Sequence, residues 1–102
     1  MNKAYLIGQI TITNPDAYAA YAAEVPQTIA TFGGKYLVRG GQATQVEGQS
    51  PGDRHVVIEF PSRDAAEAWY SSDAYQAIIR HRLDNATGTL TLVEGYAPEK
   101  SR

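Results

Sequence analysis

The 102-residue chain has no cysteine, which removes disulfides, thiolate metal sites and cysteine nucleophiles together. Histidine is nearly as scarce. His55 and His81 stand far apart among scattered carboxylates, and no metal-ligand spacing is recognisable. No apolar run approaches the length of a membrane span, and the opening Met1–Ile10 alternates with polar residues instead of running apolar like a signal peptide. A cytoplasmic protein is therefore expected. A net charge of -2 offers no footprint for nucleic acid or an anionic membrane. The glycine pairs form neither Gly-x-Gly-x-x-Gly nor Gly-Lys-Ser/Thr, so dinucleotide and nucleoside triphosphate sites find no support. The expectation is a protein with no metal, cofactor, nucleic acid or membrane among its partners.

What is present is ordinary for a folded protein: 43% hydrophobic and 20% charged residues. The length suits a single domain, taken as 1–96 with a flexible tail over 97–102, and falls short of covering one sheet on both faces. Tyr5–Ile12 alternates as a strand, with Leu6, Gly8, Ile10 and Ile12 on one face. Asn14-Pro15-Asp16 supplies a cap, a first-turn proline and an acid at the positive end of a helix. That helix carries an apolar stripe of Tyr18, Tyr21, Ala22, Val25, Ile29 and Phe32. Pro26 inside it predicts a kink near Ala22 or two abutting helices.

Gly33-Gly34 ends the helix and Lys35–Arg39 is a second strand. Gly40-Gly41 reads as an interruption, with the strand resuming over Ala43–Glu47 before a turn. Arg54–Phe60 is a third strand, which makes a long hairpin. Ser62 caps a second helical region, Ser71-Ser72-Asp73 breaks and restarts it, and Thr89–Glu94 is the last strand. Strand, helix, strand, strand, helix, strand is the split βαβ order of a ferredoxin-like α+β sandwich, an antiparallel sheet with both helices on one face and the first and third strands central. Tyr5, Ile7, Leu37 and Val57 are left on the other face, more apolar surface than a soluble monomer usually exposes, so a homodimer with sheet facing sheet is expected.

Alternation places Arg39, Glu59 and Gln9 together on that outer face. A buried charge needs a partner, so Arg39 and Glu59 should meet, either as an ion pair that fixes strand register or as a site for a carboxylate or phenolate. His55 shares the parity of Glu59, and either is a candidate proton carrier, with His81 a weaker one. Tyr18, Tyr21, Trp69, Tyr70 and Tyr75 fall on helical stripes, as core or as the wall of a ligand cavity.

Asn14-Pro15-Asp16-Ala17-Tyr18 with Tyr21, Gly33 through Gly41, Glu59-Phe60-Pro61-Ser62, Ala68-Trp69-Tyr70-Ser71-Ser72 with Tyr75, and Val93-Glu94-Gly95 resemble the bacterial domain of unknown function 1330 family. The resemblance spans about Lys3 to Gly95 and implies a dimeric α+β barrel. That superfamily includes cofactor-independent monooxygenases, haem-degrading enzymes, lactone isomerases and polyketide cyclases, working in a pocket inside or beside each sheet. The resulting expectation is a small, aromatic or anionic ligand in each protomer, held by Arg39, with acid/base or monooxygenase-like chemistry. The alternative is a non-catalytic binding or interaction module.

Overall fold

The structure, a computed structural model, describes residues 2–96, and the tail expected over 97–102 lies outside them. The elements run β1 (Ala4–Ile12), α1 (Pro15–Thr31), β2 (Lys35–Arg39), β3 (Arg54–Phe60), α2 (Arg63–Ser71), α3 (Asp73–Gln76), α4 (Ile79–Leu83) and β4 (Ala86–Glu94). The four strands form one antiparallel sheet in the order β2-β3-β1-β4, with β1 and β3 central as expected.

Local chemistry sets the helix boundaries. The Asn14 side chain accepts from the Ala17 N–H at the start of α1, and Ser62 accepts from the Ala65 N–H at the start of α2. Ser72 restarts the chain as α3 by accepting from the Tyr75 N–H. At the end of α1, Gly33 takes φ +80°, its N–H bonds Ala30 O, and the Gly34 N–H bonds Ile29 O. This is a Schellman cap, which a residue with a Cβ would form only at a cost.

The core lies between the helices and the inner face of the sheet. Leu6, Ile10, Ile58 and Phe60 pack there against Tyr18, Tyr21, Val25 and Ile29 of α1, and against Trp69, Tyr75, Ile78 and Ile79. The expected α+β ferredoxin-like architecture is the one observed.

Three local expectations are corrected. Of the two alternatives at Pro26, the abutting helices are excluded, because the helix continues through Pro26 as one element. Ala43–Glu47 carries no strand, and β2 ends at Arg39. The irregularity in the hairpin sits at Leu37, not at Gly40-Gly41: Tyr36 pairs with Ile58 and Val38 with Val57, so Leu37 is an extra residue. Such a bulge shifts every later side chain of its strand to the opposite face.

Candidate functional site

A cleft opens between α1 and the inner face of the sheet. Gly8, Val56 and Leu90 form its floor, Tyr18 and Tyr21 line it from α1, and Trp69 from α2. Three arginines reach it, Arg39, Arg54 and Arg82, and no carboxylate among the described residues lines it. Its open volume is about 40 Å³, room for no more than a few water molecules.

The bulge decides the fate of Arg39. It stands opposite Val56 on the helix side, away from Glu59, so the expected Arg39–Glu59 pair does not form. Arg39 Nη2 instead donates to the Ala22 carbonyl at 2.8 Å, and its guanidinium carbon lies 4.7 Å from the centre of the Tyr36 ring. The reason lies four residues beyond Ala22, at Pro26. Proline has no N–H, which leaves the Ala22 carbonyl without an intrahelical donor. Arg39 supplies the missing bond and ties β2 to α1. Replacing Arg39 with Met is expected to cost about 1 kcal/mol, and measurably less in a Pro26→Ala background, where residue 26 donates to Ala22. Urea denaturation of the four proteins measures this coupling, and equal costs in both backgrounds would mean that the Ala22 carbonyl does not hold Arg39.

Arg54, at the start of β3, has the inward parity of Val56 and Ile58. Its guanidinium passes over Gly40, where an added Cβ would collide with it, and Gly40 itself takes φ +72°. Both facts explain why glycine follows Arg39. The Arg54 Nε is buried with no hydrogen-bond partner among the described residues. Burial pushes the Tyr18 hydroxyl above its ordinary pKa, and Arg54 beside it opposes the shift.

Arg82 reaches the cleft through a chain of hydroxyls. Its Nε donates to Tyr75 Oη at 3.2 Å, and Tyr75 Oη lies 2.8 Å from Tyr21 Oη. Tyr75 is fully buried, and either hydroxyl of the Tyr21–Tyr75 pair could be the donor of the bond between them. Burial, reinforced by Tyr75, pushes the Tyr21 pKa well up. Burial raises Tyr36 too, against the influence of Arg39. These phenols are neutral donors at physiological pH.

The remaining candidates lie elsewhere. Glu59 is on the outer face, 3.5 Å from Lys3 Nζ and 3.6 Å from Lys35 Nζ, and accepts from the Tyr5 hydroxyl at 3.4 Å. His55 stands opposite Gln9 on that same face, its Nδ1 buried without a partner among the described residues. Neither Glu59 nor His55 reaches the cleft. Tyr70 is exposed on α2 and packs against Trp69 and Tyr75 from outside. Of the expected ligand-binding residues, Arg39, Tyr18, Tyr21 and Trp69 line the cleft and Tyr75 backs it, whereas Gln9 and Tyr70 do not. Sequence reasoning missed Arg54, Arg82, Tyr36 and Gly8. The signal for Arg54 was present in the alternation of β3, and that for Arg82 in its seven-residue spacing from Tyr75 on the helical stripe.

Solved structures share this fold at low identity. A protein of unknown function from Rhodopseudomonas palustris superposes with a TM-score of 0.75 at 18% identity, over 95% of this chain and 85% of that one. SnoaB, a cofactor-independent oxygenase from Streptomyces nogalater, gives 0.57 at 12% identity, over 95% and 96% of the two chains. An antibiotic biosynthesis monooxygenase gives 0.53 at 14%, over 95% and 98%. A comparison with curated proteins finds no match. The family described as Domain of unknown function (DUF1330) matches residues 3–96, nearly the full length, and the chain belongs to that family.

Proposed function

We propose that the chain binds a small organic anion in the cleft between α1 and the sheet. One observation carries this reading: three arginines and neutral phenols, with no carboxylate among the described residues, line an otherwise apolar cleft. Guanidinium charge at a partly buried site favours an anionic partner, and Arg54 keeps a buried N–H free to donate. Apolar walls with a few convergent polar groups are the usual make-up of a small-molecule site. Because Glu59 and His55 lie on the opposite face, the acid/base role expected of them has no support from the geometry. Binding of benzoate that weakens with added salt is the expected result of an isothermal titration. No detectable binding of benzoate or any other small carboxylate would overturn the reading.

Oxygenation of the bound molecule, the activity named for SnoaB, is the second reading. It would need the substrate ionised in the cleft, and the arginines are the groups placed to hold such an anion.

We also propose that a second copy of the chain covers the outer face of the sheet. Leu37 is 50% exposed, Val38 39% and Val93 42%, beside half-buried Tyr5, Ile7 and Val57. Each such side chain is worth roughly 1.5–3 kcal/mol when fully buried. Glu59 already lies against Lys3 and Lys35, so no uncompensated carboxylate is brought against its own copy there. Sedimentation velocity is expected to show a dimer, and Ile7→Glu to yield a folded monomer. A wild-type monomer at micromolar concentration would refute the pairing.

A further inference from the structure

We infer that Gly8 is the seat of the ligand's body and that this body is a flat ring: the cleft takes a planar ring bearing one anionic group. The ring face lies on the backbone of β1 and the charge is directed to the arginines. The inference rests on the anion-binding reading and adds shape to it.

Glycine in the interior of a central strand weakens the strand, because it gains backbone freedom on unfolding and packs no side chain. Such a glycine usually has a steric cause. At Gly34 an added Cβ would run into the Phe60 ring, at Gly52 into the backbone of Ile10, and at Gly88 into the carbonyl of Gln9. Gly8 has no such cause. A Cβ there would sit 3.5 Å from Leu90 Cδ1 and 3.7 Å from Val56 Cβ, ordinary contact distances, on backbone outside the left-handed region.

Its neighbours on the same face, Leu6 and Ile10, are buried core residues, so the pattern of β1 asks for an apolar side chain at position 8. What lies over Gly8 is the cleft. The fold tolerates a side chain that the sequence omits, and the beneficiary is whatever enters the cleft. At about 40 Å³ the cleft as it stands is smaller than a ring, so α1 must give as one enters, and a flat ring asks less of it than a puckered one. The facing walls are the rings of Tyr18, Tyr21 and Trp69, which favour stacked or edge-on contact with another ring.

Titrations of benzoate, cyclohexanecarboxylate and acetate into wild type, Gly8→Ala and Gly8→Val test this. Wild type is expected to hold benzoate more tightly than cyclohexanecarboxylate, although the puckered ring is the more apolar. Valine at position 8 is expected to weaken benzoate about tenfold or more. Acetate, which needs only the arginines, should bind unchanged, and the melting temperature should not fall. Alanine should give a smaller loss, and it serves if the valine variant does not fold. Equal benzoate affinity in wild type and variants, or a wild-type preference for the puckered ring, overturns the role of Gly8 while salt-sensitive acetate binding leaves the anion reading standing. Failure of all three anions to bind wild type sinks both.

Discussion

Replacing Trp69 with alanine is expected to remove about 3–5 kcal/mol of stability, a large share of what a domain of this size possesses. Trp69 is 1% exposed, its ring centre 4.1 Å from that of Tyr75 and 5.6 Å from that of Phe60. Removing it opens a void where α2, α3 and the sheet meet, and the surrounding rings are too rigid to fill that void. The indole N–H donates to Thr28 Oγ1 at 3.0 Å, but Thr28 also donates to the Val25 carbonyl. Losing the indole bond therefore leaves Thr28 satisfied, and the expected cost is one of packing. Trp69→Phe, which keeps a ring, should lose less than half as much. Urea denaturation followed by far-ultraviolet circular dichroism measures both, since Trp69 is the only tryptophan and fluorescence disappears with it. A loss below about 1 kcal/mol for the alanine variant would contradict a core centred on this residue.

Arg54→Met is expected to separate stability from binding. The wild-type side chain holds a buried Nε with no partner among the described residues, and an unsatisfied buried donor costs about 1–3 kcal/mol. Met fills a similar length without that donor, so the fold should be as stable as wild type or more so. Hydrogen bonds to charged groups contribute about 1.5–3 kcal/mol, so affinity for benzoate should fall by about tenfold to a hundredfold. Arg54→Lys should recover the charge but not the forked geometry, and restore binding only in part. Thermal denaturation and calorimetric titration of the same samples read the two quantities. Unchanged benzoate affinity in the Met variant would remove Arg54 from the site, and a large loss of stability would show that Arg54 supports the fold.

The coupling between Pro26 and Arg39 has a functional consequence. An arginine whose Nη2 is bonded to the Ala22 carbonyl has lost part of its conformational freedom, so less entropy remains to be lost when a ligand binds it. Tyr75 does the same for Tyr21. Its hydroxyl accepts from Arg82 Nε and is hydrogen-bonded to the Tyr21 hydroxyl, which holds the Tyr21 side chain in place at the wall of the cleft.

Much of this protein was legible in its sequence because the deciding interactions are local. Asn14, Ser62 and Ser72 cap helices through bonds that span three residues, and Gly33 ends α1 because only glycine takes that backbone shape readily. Strict alternation in β1 and β3 assigned Leu6, Ile10, Ile58 and Phe60 to the core, and Glu59, His55 and Gln9 to the outer face. The order of elements then allowed one sheet topology. What escaped the sequence depends on how two strands register. A single extra residue at Leu37 turned Arg39 from the outer face to the inner one and separated it from Glu59. Nothing in Lys35–Arg39 marks that position, because a bulge is placed by the pairing of both strands and the twist between them. The partner of Arg39 is likewise a carbonyl on α1, that of Ala22 seventeen residues earlier in the chain, which becomes available only because Pro26 withholds an N–H. Local composition determined the elements and their order, while tertiary packing alone decided which charges share a cleft, because that depends on contacts between residues distant in sequence.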